Sequence, residues 1–295
     1  MKISTEIGSI SRLVGEEKAV QYVAEAGFDA WDFSMFAMCY CDGSGYMMGA
    51  ENYPLSGQEY LSFARKLKQS GLDYGITCNQ SHAPFPSYAK GAFPYLQRAI
   101  ECTAEAGGKI CIIHPDNNVP ASENAKMYEK LLPFAKEHGV KIATENMWNW
   151  AAGEERSCIA ACSTTEDYLA HIKAVNDPYF VACLDIGHAE MEGSGSGAPA
   201  MIRGLGENLQ ALHIHDNDRI HDSHQLPFSM AIDFEEIVKA LQEIKYQGYF
   251  TLEADAYLRT HHYEKETAFA GVKCMAEAAK KLEDMFNDRN EKRTI

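Results

Sequence analysis

Six short apolar runs, TCNQSH, KICIIH, KIATE, VACLD, LQALH and YFTLE, each end on a side chain that can bind a divalent metal: His82, His114, Glu145, Asp185, His213 and Glu253. Glu145, Asp185, His213 and Glu253 offer three carboxylates and one imidazole. That is a hard, oxygen-rich donor set suited to Mn2+, Mg2+ or Co2+, and Zn2+ is also accommodated. Four protein donors leave room in an octahedron for two substrate oxygens. A cation chelating a carbonyl and its neighbouring hydroxyl acidifies the adjacent C–H bond. Carboxylates on opposite faces of that carbon can remove a proton and return one, inverting it; a single carboxylate would shuttle the proton between carbons. Each residue alone has a plainer reading, since a strand-end Glu or Asp commonly caps the next helix. Four on neighbouring strands favour the metal.

For these residues to converge they must stand at the same end of parallel strands. Strands are predicted at about 2–7, 28–34, 73–80, 109–114, 140–145, 180–185, 210–215 and 249–254, and amphipathic helices over 16–26, 58–69, 121–137, 234–245 and 266–287. Gly27, Gly71, Gly108, Gly139 and Gly248 each precede a strand and are expected to be left-handed helix caps. Strands apolar on both faces and alternating with helices indicate a parallel sheet. Eight such units in 295 residues predict an α/β fold, a single (β/α)8 TIM barrel, whose carboxyl-end face gathers the functional side chains. The alternative is an open doubly wound sheet, but no G-x-G-x-x-G follows the first strand. Residues 1–287 are assigned to the barrel and 288–295 to a polar, frayed tail.

Composition narrows the partners. Apolar runs are too short to span a bilayer and no signal core follows Met1, so a cytoplasmic location with no membrane partner is expected. Nine scattered cysteines fit buried thiols in a reducing compartment, and Cys39-x-Cys41 lacks a second pair with zinc-site spacing. A formal charge of −15 counts against nucleic acid. No interface is legible, and a homo-oligomer is left open.

The stretches TEN (Glu145), LDIGH (Asp185, His188), LHIHDNDR (His213, Arg219) and LEAD (Glu253) resemble the xylose isomerase-like TIM-barrel superfamily, which holds sugar and sugar-phosphate isomerases and epimerases together with endonuclease IV-type AP endonucleases. The resemblance covers essentially the whole barrel. Its ketose 3-epimerase branch implies Glu145, Asp185, His213 and Glu253 as metal ligands, His188 and Arg219 as contacts to substrate oxygens, and Glu145 and Glu253 as acid and base. The implied activity is a metal-dependent sugar isomerase or epimerase acting through an enediolate. Lyase or dehydratase chemistry on a sugar-derived substrate would begin the same way.

The resemblance has a second side. His82, His114, Asp222 and His224, added to Glu145, Asp185, His188, His213 and Glu253, resemble the three-zinc set of the AP endonucleases, which implies a phosphodiesterase as the alternative. The P-G-x-G segment usual there is absent after strand seven. His82 and His114 are therefore read first as contacts to substrate hydroxyls or supports of Glu145. His215 points to the same side of its strand as His213 and is an alternative ligand or a support, as Asp222 and His224 are. Trp148 or Trp150 could stack on a sugar face. His138, His171, His261 and His262 are expected in solvent, and Asp216, Asp218 and Asp255 to cap or support. Long connections at 36–58, 148–163 and 216–232 suit lids. The connections after strands seven and eight carry no glycine for a backbone phosphate cradle, which favours a free sugar; Arg219, Arg259, His261 and His262 are the groups that could contact a phosphate.

Overall fold

The computed structural model describes residues 1–292 and shows eight parallel strands wound with helices into one barrel. The strands are β1 (Lys2–Glu6), β2 (Ala30–Ser34), β3 (Thr77–His82), β4 (Ile110–Ile112), β5 (Lys141–Glu145), β6 (Phe180–Asp185), β7 (Leu209–His213) and β8 (Tyr249–Leu252). They are hydrogen-bonded in the order β7-β6-β5-β4-β3-β2-β1-β8. The remaining gap is closed by a parallel bridge between Ile214 and Leu252. There Ile214 N donates to Thr251 O (2.9 Å) and Glu253 N to Ile214 O (3.0 Å). This is the (β/α)8 barrel that the alternation of strands and helices predicts.

The helices form the outer ring: α1 (Gly8–Val14), α2 (Glu16–Ala26), α3 (Tyr60–Asp73), α4 (Phe93–Ala106), α5 (Ala121–Glu137), α6 (Thr165–Val175), α7 (Ile186–Glu190), α8 (Ala198–Leu205), α9 (Phe234–Glu243), α10 (Tyr257–Thr260) and α11 (Ala268–Lys292). The main core lies between this ring and the sheet, with Trp31, Tyr128, Tyr168, Phe234 and Phe250 fully buried. A smaller cluster of Ile112, Ala143, Val181, Cys183 and Ala211 fills part of the interior. No helix among the described residues is long and apolar enough to cross a membrane.

Several boundaries differ from expectation for physical reasons. Gly71 lies inside α3 rather than capping it, because the helix runs against β2: a Cβ there would stand 2.9 Å from Trp31 Nε1. The helix therefore reaches Asp73, and the third strand starts at Thr77 rather than 73. Gly248 is likewise a packing glycine, since a Cβ would meet the Tyr246 hydroxyl at 2.2 Å. Gly27 is the left-handed cap expected. The last helix continues to Lys292, so residues 288–292 of the predicted tail belong to α11 and 293–295 lie outside the described residues. The connection over 36–58 carries a small antiparallel hairpin, Cys39–Cys41 with Met47–Gly49, and that over 148–163 another, Asn149–Trp150 with Ser157–Cys158.

Candidate active site

Side chains on a strand alternate between faces, so positions two apart share the barrel interior. Glu6, His82, His114, Glu145, Asp185, His213 and Glu253 fall at or just beyond the carboxyl ends of their strands, Asp32 lies in the middle of β2, and all are buried. Of these, His82, His114, Glu145 and Glu253 line a cavity of about 310 Å³ whose wall also includes Phe36, Trp148, His188, Asp222 and His224.

His213 is the hinge of the arrangement. Its Nδ1 lies 3.1 Å from Glu145 Oε1 and 3.4 Å from Glu253 Oε2. Its Nε2 lies 3.3 Å from Asp32 Oδ2, which also accepts from Gln80 Nε2 at 2.9 Å. A proton on Nε2 held by Asp32 leaves the Nδ1 lone pair facing two carboxylates, the arrangement in which a histidine ligates a metal while a carboxylate fixes its tautomer. Burial alone would lower the His213 pKa, but Cys183, Glu253 and Glu145 around it drive it well up. The two glutamates diverge. Burial would raise Glu145, but the His213 and His114 imidazoles hold it well below the ordinary carboxylate range. Burial pushes Glu253 well above that range, and the charge of Glu145 adds to the push against His213.

His82 and His114 gather on the other oxygen of Glu145. Their Nε2 atoms are 2.6 Å apart and lie 3.5 and 3.1 Å from Glu145 Oε2. His82 Nδ1 donates to Glu253 Oε1 at 2.9 Å, so its Nε2 lone pair faces the group. Burial and the neighbouring His114 keep His82 well below its ordinary pKa.

Asp185 turns to a second group. Register explains this: Glu145 is level with Cys183 on β6, and Asp185 stands two residues beyond. Asp185 Oδ1 accepts from His188 N (2.7 Å), capping α7, and lies 3.1 Å from His215 Nε2. Burial would raise it, yet His188 and His215 hold it at about 2. His188 donates Nδ1–H to Asn146 O (2.9 Å) and His224 donates Nδ1–H to Glu253 O (2.7 Å). Both Nε2 atoms then face the same Asp222 Oδ2, at 3.3 and 3.2 Å. Burial opposes charge on His188, but Asp185 and Asp222 raise it to about 10. His215 stacks on His224 at 3.9 Å and fits only because residue 187 is glycine: a Cβ there would lie 1.9 Å from His215 Cε1.

The donor chemistry fits cations. Seven buried side-chain polar atoms lack a hydrogen-bond partner among the described residues, and Asp32, His114, Asn117, Asp185, His215 and Asp222 supply all but one of them, though His215 Nε2 stands at ion-pair distance from Asp185 and Asp222. Orphaned buried polar atoms are rare, and a cluster of them marks a place where an ion or polar ligand completes the bonding. Among the groups whose donor atoms are spaced for a single ion are His82, His114 and Glu145; His82, His213 and Glu253; Glu145, Cys183 and His213; and His188, His215, Asp222 and His224.

Other expected residues fall differently. Trp148 lines the cavity and donates Nε1–H to Asp222 Oδ2 at 3.2 Å. Trp150 is exposed beside it, the rings 5.1 Å apart. Arg219 is exposed and does not line the cavity; its backbone takes a left-handed turn (φ 69) that carries the side chain outward. His171 is buried rather than solvated, pinned between Asn124 Nδ2 (3.1 Å) and Asp167 O (2.9 Å). Asp216 ties down the loop after β7 by accepting from Met230 N and Ile232 N.

Asp32, Gln80 and Glu6 were not singled out in the sequence. The inward alternation along FDAWDF and STE carried the available signal. If Asp32 sets the His213 tautomer, Asp32→Asn should weaken Mn2+ binding by roughly 10- to 100-fold, as loss of such partners does elsewhere. Calorimetric titration of folded variant and wild type checks this, and equal affinities would refute it.

Glu6 accepts from Ser9 N (2.9 Å) and from the Ser9 hydroxyl. Burial first, and the charge of Asp255 next, raise its pKa from 4.5 to about 7. Below 4.5 both folded and unfolded chains carry the proton; between the two values the folded chain alone keeps it. Stability therefore falls as pH rises through this window, by about 3 kcal/mol once above 7. Glu6→Gln should flatten that part of the profile, read from urea midpoints at pH 5 and pH 8. An unchanged slope would assign the pH dependence elsewhere.

Comparison with known proteins agrees with the architecture. Residues 20–279 match the sequence model of the family described as xylose isomerase-like TIM barrel. An uncharacterized protein of Methanocaldococcus jannaschii is 24% identical over 253 residues, covering 80% of this chain and 78% of that one. Among solved structures, a D-tagatose 3-epimerase-like protein superposes with a TM-score of 0.70 at 22% identity, covering 98% of this chain and 99% of the other. The IOLI protein with a binding zinc atom gives 0.71 at 16% identity over 96% and 99%. At these identities the structural likeness speaks for the fold alone.

Proposed function

The chain belongs to the xylose isomerase-like TIM barrel family, and on that footing we propose that it is a divalent-metal-dependent sugar isomerase or epimerase, with Glu145 and Glu253 handling the proton. The observation that carries this is the pairing of two buried carboxylates across His213, one held low and the other high. Neighbouring acids whose proton affinities are pushed apart are matched to base and acid roles.

Glu145, His213 and Glu253 would hold the cation, with the unpartnered Oδ2 of Asp185 as the fourth donor, and Asp32 would orient His213. A bound divalent ion supplies Lewis acidity to a ketose carbonyl. Ionised Glu145 takes the proton from the carbon beside the carbonyl, and the C–H electrons move onto the carbonyl oxygen to give an enediolate. Protonated Glu253, on the other side of His213, returns a proton to the opposite face of the same carbon. Delivery to the same face of the neighbouring carbon would make the enzyme an aldose–ketose isomerase. His82, hydrogen-bonded to Glu253, keeps its carboxyl aimed, while His188 and Trp148 bound the cavity where sugar hydroxyls lie. The likeness in fold to the D-tagatose 3-epimerase-like protein supports this reading, and the zinc of the IOLI protein supports a metal at such a site. Incubation of the metal-loaded protein with a ketose panel in D2O tests it. Deuterium should appear beside the carbonyl; its absence across the panel would overturn the proposal.

One observation favours a second reading. His82 and His114 converge on Glu145, and His188 and His224 converge on Asp222, so the donors would suit more than one cation, as phosphodiester hydrolysis by a metal-activated water requires. Metal analysis and incision of abasic duplex DNA distinguish the two readings. One ion per chain and intact DNA would exclude hydrolysis.

A further inference from the structure

A second cavity of about 350 Å³ opens beside the catalytic one, and Asp255 lines both. Asp255 follows Glu253 by two residues, in the turn after β8. The two cavities thus meet at the residue two positions beyond Glu253.

The lining divides by chemistry. Leu13, Leu258 and Tyr263 give an apolar floor, while Arg12 of α1, Arg259 of α10 and His262 bring cationic or protonatable groups to the rim. In a chain of net charge −15, arginines readily find carboxylates. Arg65, Arg156 and Arg203 are each paired with one, and Arg98 donates to Leu55 O. The side chains of Arg12 and Arg259, like that of Arg219, have no ion-pair or hydrogen-bond partner among the described residues, although Asp255 and Glu264 share the cavity of the first two. Asp255 is turned instead towards His224, 3.5 Å from its Nδ1. The support is firm: α11 crosses so closely that a Cβ on Gly271 would lie 2.4 Å from Leu258 Cδ2 and 3.1 Å from the Tyr263 ring.

We propose that this cavity is a subsite for an anionic substituent of the substrate, a phosphate or a carboxylate, gripped by Arg12 and Arg259 while the reacting carbons lie between Glu145 and Glu253. Arginine suits the task because its planar fork binds either group through paired hydrogen bonds. The favoured substrate is then an anionic ketose rather than a free sugar. The class of substrate rests on the proton-transfer reading above; the anion site itself does not.

The test separates the two. Metal-loaded wild type and the Arg12→Ala/Arg259→Ala double variant are titrated with inorganic phosphate and with glucuronate, and both are assayed for deuterium exchange on paired ketoses, ketose phosphates and keto-aldonates. Both arginines are exposed, so the variant should fold as wild type does, which thermal melting verifies. The expected result is at least tenfold weaker anion binding by the variant. On the anionic substrate, kcat/KM should fall on the order of 100-fold, mostly through KM, with exchange on free ketoses unchanged. Stronger loss for phosphate than for glucuronate, or the reverse, identifies which anion the subsite takes. Anion binding unaffected by the double substitution overturns the subsite, as does exchange with free ketoses that equals or exceeds that with the anionic forms. Arginine-dependent anion binding without exchange on any substrate upholds the subsite and overturns the isomerase reading.

Discussion

Replacing Glu253 by glutamine should abolish deuterium incorporation into a ketose substrate, by on the order of 10²- to 10⁴-fold, the range lost when a positioned acid or base is removed. The amide keeps the size of the carboxyl and an oxygen to accept from His82 Nδ1, so the wall of the cavity survives. What disappears is the proton that burial and Glu145 keep on this group. The loss should fall on kcat with little change in KM, because the missing interaction belongs to the transition state. Glu145→Gln should be as inactive for a different reason, since it removes the ionised partner. Full exchange by Glu253→Gln would show that the proton passes through another residue and would end the two-carboxylate account.

Metal removal should have the second large effect, on stability as well as activity. Carboxylates and imidazoles are packed together with buried atoms left without a partner at Asp32, His114 and Asp185. A cation that binds only the folded chain stabilises it by about 4 kcal/mol at a thousand times its dissociation constant, or roughly 7 °C in the thermal midpoint of a chain this size. Chelated protein should therefore melt lower and recover on return of Mn2+. Glu145→Gln, which weakens a carboxylate facing both His213 and His114, should recover far less. Identical melting with and without metal would argue that these donors hold no ion.

The ends of the strands were the legible part of the sequence. Five of the six runs that opened the argument belong to barrel strands now seen to terminate at or next to the named residue, and His114 follows β4 by two positions. Repetition made them visible, because one type of residue kept returning at one place in a repeating unit. Asp32 escaped notice because it sits inside the apolar string AWDFS, two residues short of the strand end, and its function is expressed only through His213 on a strand far away in the chain. Gly187 was quoted within LDIGH without its reason, since the clash that a side chain would make is with a ring 28 positions later. The role of Arg219 rested on the family resemblance, and a matching motif is silent about a backbone that turns left-handed. The two guanidiniums of the anion cavity lie on different helices and become neighbours only once β8 closes on β1.

That closure has one more implication. Every other adjacent pair of strands shares a ladder, whereas β7 and β8 meet through one bridge, and the residue donating across it, Glu253, also carries the reacting carboxyl. An ion joining His213 to Glu253 would work as a buckle over the thinnest stitch of the cylinder. Completion of the fold and readiness for chemistry would then arrive in a single event.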